Sequence, residues 1–198
     1  RASSGEVEDL FIKLKLNKNK KFIFFGGRGM SDKGTEVLLE MLTDIKSEIP
    51  EAHMLMAIGK DGYQESLAKL ANSLGLKDSI SFTGLMSGRD LASLFSLSYL
   101  VVVPSLTMDP APLMNMQAMA AGKPVVGTCF GGTSEIVIDG VCGYIANPYN
   151  QKAFSGRIVA LLKDQELAFK MGNMGRKIAE EKFSLVKYGE RLAEVYGF

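Results

Sequence analysis

With 198 residues, 46% of them hydrophobic and 23% charged, the chain has the composition of a folded globular domain, which excludes a disordered or collagen-like protein. Lys+Arg 23 against Asp+Glu 22 leaves a formal charge of +1, so nothing in the global charge points to nucleic acid or an anionic membrane. Two cysteines, and no apolar run near the roughly 18–20 residues of a membrane span, exclude a disulfide framework and a transmembrane helix. No charged-then-apolar leader follows Arg1, so a cytoplasmic chain is expected, with Cys129 and Cys142 as buried thiols or, alternatively, in a disulfide or redox role.

Residues 1–20 read as a lead-in helix or linker. Beyond them, the runs 22–25 (FIFF), 54–58 (MLMAI), 80–82 (ISF), 100–103 (LVVV), 124–126 (PVV) and 143–146 (GYIA) are expected as strands. The central runs are continuously apolar, as in parallel strands covered on both faces. Amphipathic stretches at 35–49, 65–74, 88–97 and 113–121 separate them as helices. This alternation implies right-handed βαβ units, and so an α/β fold: a Rossmann-like, doubly wound parallel sheet of about six strands. From 150 to 198 a helical tail is expected. Phe154, Ile158, Leu161 and Leu162 share one helical face, Leu167, Met171, Met174 and Ile178 another, and Val186, Leu192 and Val195 mark a last amphipathic segment. No repeat or Pro-rich linker divides the chain, so a single domain is expected over 1–198.

In open α/β sheets ligands bind beyond the carboxyl ends of the strands. After the first strand comes Gly26-Gly27-Arg28-Gly29-Met30-Ser31-Asp32-Lys33-Gly34. Its glycines permit close backbone approach, a helix start attracts anions, and Arg28 with Lys33 can clamp a diphosphate. The loop is not a P-loop, because Lys33 precedes its glycine, and Asp32 stands where a dinucleotide fingerprint needs a third glycine. Alternatively it is a glycine-rich turn with solvated cations. After the fourth strand, Asp109 precedes a helix in which Gln117 lies about one turn along. Asp109 reads either as a ligand or as a helix-entry residue. After the fifth strand, Gly131-Gly132-Thr133-Ser134-Glu135 enters a short helix that Glu135 either caps or extends toward a ligand. His53 reads as packing or surface, Lys18, Lys20 and Lys21 as a solvated face, and the methionines as core filler, with Met108, Met114 and Met116 close enough to shape a site.

The segments GGRGMSDKG, FTGLMSGRDLASLFSLSYLVVVPS, DPAPLMNMQAMAAGKPVV and GGTSEIVIDGVCGYI, in this order, resemble the C-terminal nucleotide-binding domain of GT-B-fold glycosyltransferases of family 4. The resemblance runs from about Lys21 to the terminal helix, and the motifs are specific in combination rather than singly. It implies a nucleoside-diphosphate-sugar donor, retention of anomeric configuration and no essential metal. By position, Arg28 and Lys33 would hold the diphosphate, with Gly27 beside them, and the backbone at Leu85 and Met86 would line the base pocket. The Leu113 and Met114 amides would face phosphate or sugar. Asp109 corresponds to the family's first Glu, on the sugar; Gln117 to its second, on ribose hydroxyls; Glu135 would add a further donor contact. On this resemblance Asp109, Arg28 and Lys33 carry the catalytic roles.

Three positions depart from the family pattern. Asp109 is one methylene shorter than Glu. Gln117 offers one acceptor and two donor hydrogens in place of a carboxylate, a loss on the order of 1 kcal/mol in charge-assisted bonding. Pro112 stands where the family has Gly and removes one amide donor. The partners implied are a nucleotide-sugar donor, a glycan or lipid acceptor, and an N-terminal domain of the same protein absent from this chain; nucleic acid is not among them. Attachment at the inner face of a membrane, through that absent domain, is compatible with the resemblance. Two alternatives are a non-catalytic binding or scaffold domain, motivated by Asp109 and Gln117, and a sugar-nucleotide epimerase of the same architecture.

Overall fold

The computed structural model describes residues 2–60 and 62–197; Arg1, Asp61 and Phe198, which include both ends of the expected domain, lie outside the described residues. The strands are β1 (Lys21–Gly26), β2 (Ala52–Ala57), β3 (Ile80–Phe82), β4 (Leu100–Val103), β5 (Val125–Thr128) and β6 (Gly143–Ala146). They form one sheet in the order β3-β2-β1-β4-β5-β6, every described pair parallel. Helices α1 (Ser4–Lys13), α2 (Thr35–Glu48), α3 (Gly62–Ser73), α4 (Gly88–Leu97), α5 (Leu113–Ala120), α6 (Thr133–Ile136), α7 (Gln151–Lys163), α8 (Gln165–Lys182) and α9 (Leu185–Tyr196) complete the chain. Strand order reverses between β1 and β4, which opens a crevice at their carboxyl ends.

The continuous apolar strands divide their side chains between two cores. Ile23 and Phe25 of β1 and Met54 and Met56 of β2 face the side covered by α2, α3 and α7. Phe22, Phe24 and Leu55 face the side covered by α1, α4 and α5. Each face needs its own apolar set, so a run such as FIFF cannot alternate with polar residues. The lead-in segment is α1, which starts with a capping box between Ser3 and Glu6 and buries Leu10 against the second core. That burial contributes roughly 1.5–3 kcal/mol, enough to make the helix part of the domain.

Two expectations for the tail are corrected. Met174, expected inward on α8, is 40% exposed. The inward face is Ala168, Met171, Gly172, Gly175, Ile178 and Ala179, one position round the helix. Small residues set it: a Cβ on Gly172 would overlap the carbonyl of Gly122, so α8 lies directly on the turn before β5. The last amphipathic segment exists as α9, but none of its residues is buried. No helix among the described residues is long and apolar enough to cross a membrane. Of the two thiols, Cys142 is buried, and burial pushes its pKa up. Cys129, expected buried, is exposed, because β5 runs on to Thr128 and leaves Cys129 in the turn beyond the sheet.

His53 sits near the amino end of β2, 9% exposed, with Nε2 on the Ser81 hydroxyl at 2.8 Å and its ring edge-on to Phe22. Burial, with repulsion from Lys20 and Lys46, pulls its pKa from 6.5 to about 4. A depressed base pKa means the unfolded chain takes up the proton first as pH falls. Stability is therefore unaffected above the free value of 6.5 and declines from there toward about 4. Denaturant unfolding at pH 7.5 and pH 5 is expected to differ by roughly 1–2 kcal/mol from this group, and His53→Gln should remove that share of the slope.

Candidate functional site

The loop from β1 to α2 leaves the sheet at Gly26, passes Gly27 and Arg28, makes one tight turn at Ser31–Lys33 and enters α2 through Gly34. Gly34 has φ +72°, and a Cβ there would overlap the carbonyl oxygen of Pro104, so only glycine lets the loop seat against the segment after β4. The two segments are also joined through the backbone, Leu106 N–H donating to Asp32 C=O at 2.8 Å. Between them, Lys33 Nζ donates to Asp109 Oδ2 at 3.1 Å, with side chains 17% and 29% exposed. Asp109 Oδ1 accepts from Ala111 N–H at 3.2 Å. On its far side the Asp109 carbonyl accepts from Gly132 N–H at 2.8 Å. Loops after β1, β4 and β5 are thereby knitted into one rim.

Within this rim lies a cavity of about 440 Å³ at the β1/β4 reversal, in the size range of small-molecule sites. It is lined by Gly27, Arg28, Lys33, Asp109, Leu113, Met114 and Gln117, so seven of the ten expected site residues converge although they come from two distant segments. Pro112 is the N-cap of α5 and gives no side-chain cap, and Leu113 and Met114 begin the helix. First-turn amides have no partner within their helix and carry the positive end of its dipole. Arg28 is exposed and makes no ion pair among the described residues. One free cation, one cation shared with a carboxylate and a helix start favour an anion with two or more oxygens.

Three expected residues stay outside that lining. Leu85, 76% exposed, and Met86, half-buried against the second core, lie in the loop between β3 and α4. Glu135 is exposed in the first turn of α6; the N-cap there is Gly132, without a side-chain cap, so Glu135 does not cap its helix. Asp109 is likewise not the α5 cap, which corrects its helix-entry alternative: its carboxylate is divided between Lys33 and the Ala111 amide. Gly26, the first glycine of the β1 loop, also lines the cavity, as does Ser105, which belongs to no motif and whose signal is its place two residues after β4. A Cβ on Gly26 would strike the Met114 side chain, so the two residues meet within the lining. A larger hollow, about 530 Å³, lies at the opposite end of the sheet between the segments leading into β4 and β5 and α8, and holds none of the expected residues. No group of three or more His, Cys, Asp or Glu suited to a metal occurs among the described residues.

Residues 6–178 match the family model described as glycosyl transferases group 1. Spore coat protein SA of Bacillus subtilis is 32% identical over 89% of this chain and 48% of its own length. Alpha-D-kanosaminyltransferase of Streptomyces kanamyceticus is 26% identical over 90% of this chain and 46% of its own length. Among solved structures, sucrose-phosphate synthase of Thermosynechococcus elongatus superposes with TM-score 0.86 at 26% identity, over 96% of this chain and 48% of that one. Anabaena HepE in complex with UDP gives TM-score 0.89 at 24% identity, over 99% of this chain and 53% of that one, a likeness of fold. The chain thus spans about half the length of each of these four proteins.

Proposed function

The chain belongs to the glycosyl transferases group 1 family, and on that premise we propose that it is the donor-binding half of a retaining glycosyltransferase. The donor is a nucleoside-diphosphate sugar, and the acceptor a glycan or lipid-linked glycan held by an N-terminal domain outside this chain. The observation that carries this is the convergence of Arg28, Lys33 and the α5 start on one cavity at the sheet's reversal point. Anabaena HepE, which shares this fold, was solved in complex with UDP, and this supports a nucleotide as part of the donor.

In the reaction the bond between the sugar's anomeric carbon and the β-phosphate oxygen breaks, and negative charge grows on the departing diphosphate. Arg28 and Lys33, with the Leu113 and Met114 amides, meet that charge without a metal, and the amides, fixed at the start of α5, need no reorganisation as it develops. Gln117, exposed one turn into α5, faces the cavity with one acceptor and two donor hydrogens for ribose hydroxyls and ring oxygen.

A second reading, a binding or scaffold domain without transfer, is favoured by one observation. Asp109, the position of the family's sugar-contacting Glu, has both carboxylate oxygens engaged within the protein. Sugar transfer by the longer protein separates the two.

The test is calorimetric titration of the 198-residue chain with UDP, GDP and ADP, each with and without Mg²⁺. One nucleotide is expected to bind, equally in both conditions, and the chain alone is expected to transfer no sugar. Absence of binding, or binding only with Mg²⁺, would sink the proposal.

A further inference from the structure

We infer that Asp109 is an internal counter-anion that competes with the donor diphosphate for Lys33, and so sets the site against free nucleoside diphosphate and in favour of the nucleotide sugar. This rests on the donor-binding reading above and assigns Asp109 a different part from the sugar contact its sequence position implies.

The geometry that carries it is the fixed aspartate beside a movable lysine. Asp109 Oδ2 is 3.1 Å from Lys33 Nζ inside the cavity lining, in a place where both side chains are largely shielded from water. Oδ1 is held by the Ala111 amide at 3.2 Å. The backbone is pinned as well: Asp109 N–H donates to Thr107 C=O at 3.1 Å, and Gly132 N–H donates to Asp109 C=O at 2.8 Å. Gly131 and Gly132 lie so close to the Asp109 and Pro110 backbones that neither has room for a Cβ. These contacts hold the Asp109 backbone, and one carboxylate oxygen with it, beside Lys33. Lys33 carries its charge on a four-carbon stem with rotatable donors, and can turn from carboxylate to phosphate while its backbone stays in place.

The consequence is a matter of charge count. Of the two cations in the lining, Lys33 is paired with Asp109, whereas Arg28 makes no ion pair among the described residues. An incoming diphosphate must share Lys33 with a carboxylate that stays nearby, and the repulsion acts in a partly shielded place where it is weakly screened. The penalty grows with ligand charge. A nucleoside diphosphate carries close to one more negative charge at neutral pH than the corresponding nucleotide sugar, because its terminal phosphate is unesterified. Asp109 thus weakens the product more than the substrate and speeds its release.

Titration of Asp109→Asn beside the unmodified chain, with UDP, GDP and ADP and then with the sugar conjugate of whichever binds, tests this. Asp109→Asn is expected to bind the diphosphate about tenfold more tightly and the nucleotide sugar by a smaller factor, while Asp109→Glu, which keeps the charge, stays near the unmodified chain. Asp109→Ser serves the same purpose should the Asn variant fold poorly. Equal or weaker diphosphate binding by the neutral variants overturns the inference and leaves the donor site standing, with Asp109 merely positioning Lys33. If no variant binds any nucleotide, the donor-binding reading itself falls, and this inference with it.

Discussion

Replacing Gly34 with alanine is expected to lower the thermal midpoint by roughly 5–15 °C and to abolish most nucleotide binding. Two costs add at this position. An alanine held at φ +72° gives up roughly 1–2 kcal/mol in the left-handed region. Its Cβ would also overlap the Pro104 carbonyl oxygen, and forcing extra atoms into a closed contact costs about 1–3 kcal/mol more. A flexible side chain could step aside, but Pro104 contributes backbone at the end of β4, where the site's second loop begins. Relief must come from parting the two loops, which pulls Leu106 from Asp32 and Lys33 from Asp109. Binding should therefore suffer beyond the loss of stability. Gly156→Ala is the matched control: it is exposed within α7 with nothing near its Cβ, and should raise stability by about 0.5–1 kcal/mol. Calorimetric midpoints of the two variants, with opposite signs expected, check the argument. A neutral Gly34→Ala would show that the loops are not locked together there.

The fold was legible because its information is local and redundant. Continuous apolar runs mark strands covered on both faces, helices of the right length separate them, and right-handed crossovers restrict the ways of ordering them. The loops after β1 and β4 were legible as a site for the same reason: strand ends can be read without knowing which strands are neighbours. What those loops do to one another was not. The Lys33–Asp109 pair joins residues 76 apart in sequence, and it exists because β4 returns to lie beside β1 after two crossovers on the other side. Each residue, taken with its own motif, points to a ligand, and neither motif shows that the two side chains bind each other. Errors elsewhere have similar causes. On α8, counting only large apolar residues pointed to Met174, whereas alanines and glycines choose the face by letting the helix come close. Cys129 reads as buried because Gly127 and Thr128, the last two residues of β5, carry too little apolar signal to mark the strand's end.

The largest effect on ligand binding is expected from removing both cations: Arg28→Ala with Lys33→Ala should weaken binding of the cognate nucleoside diphosphate at least about 100-fold, read by calorimetry. The two single variants should differ in an informative way. Arg28 is exposed and makes no ion pair among the described residues, so its loss removes one attraction, about tenfold, and leaves the folding midpoint unchanged. Lys33→Ala also leaves the pinned Asp109 carboxylate without its counter-ion, in a lining where it is less than one-third exposed. That variant should bind the diphosphate more weakly than Arg28→Ala and should lose some stability, because a shielded charge has been left alone. Adding Asp109→Asn to Lys33→Ala should then recover part of both losses. Salt separates the pair further: added chloride should erode the Arg28 contribution more than that of Lys33, since an exposed charge is better screened than one 17% exposed. Equal losses for the two single variants, with no recovery in the Lys33/Asp109 double variant, would mean that the two cations act as interchangeable surface charge and that the carboxylate between the loops takes no part in anion binding.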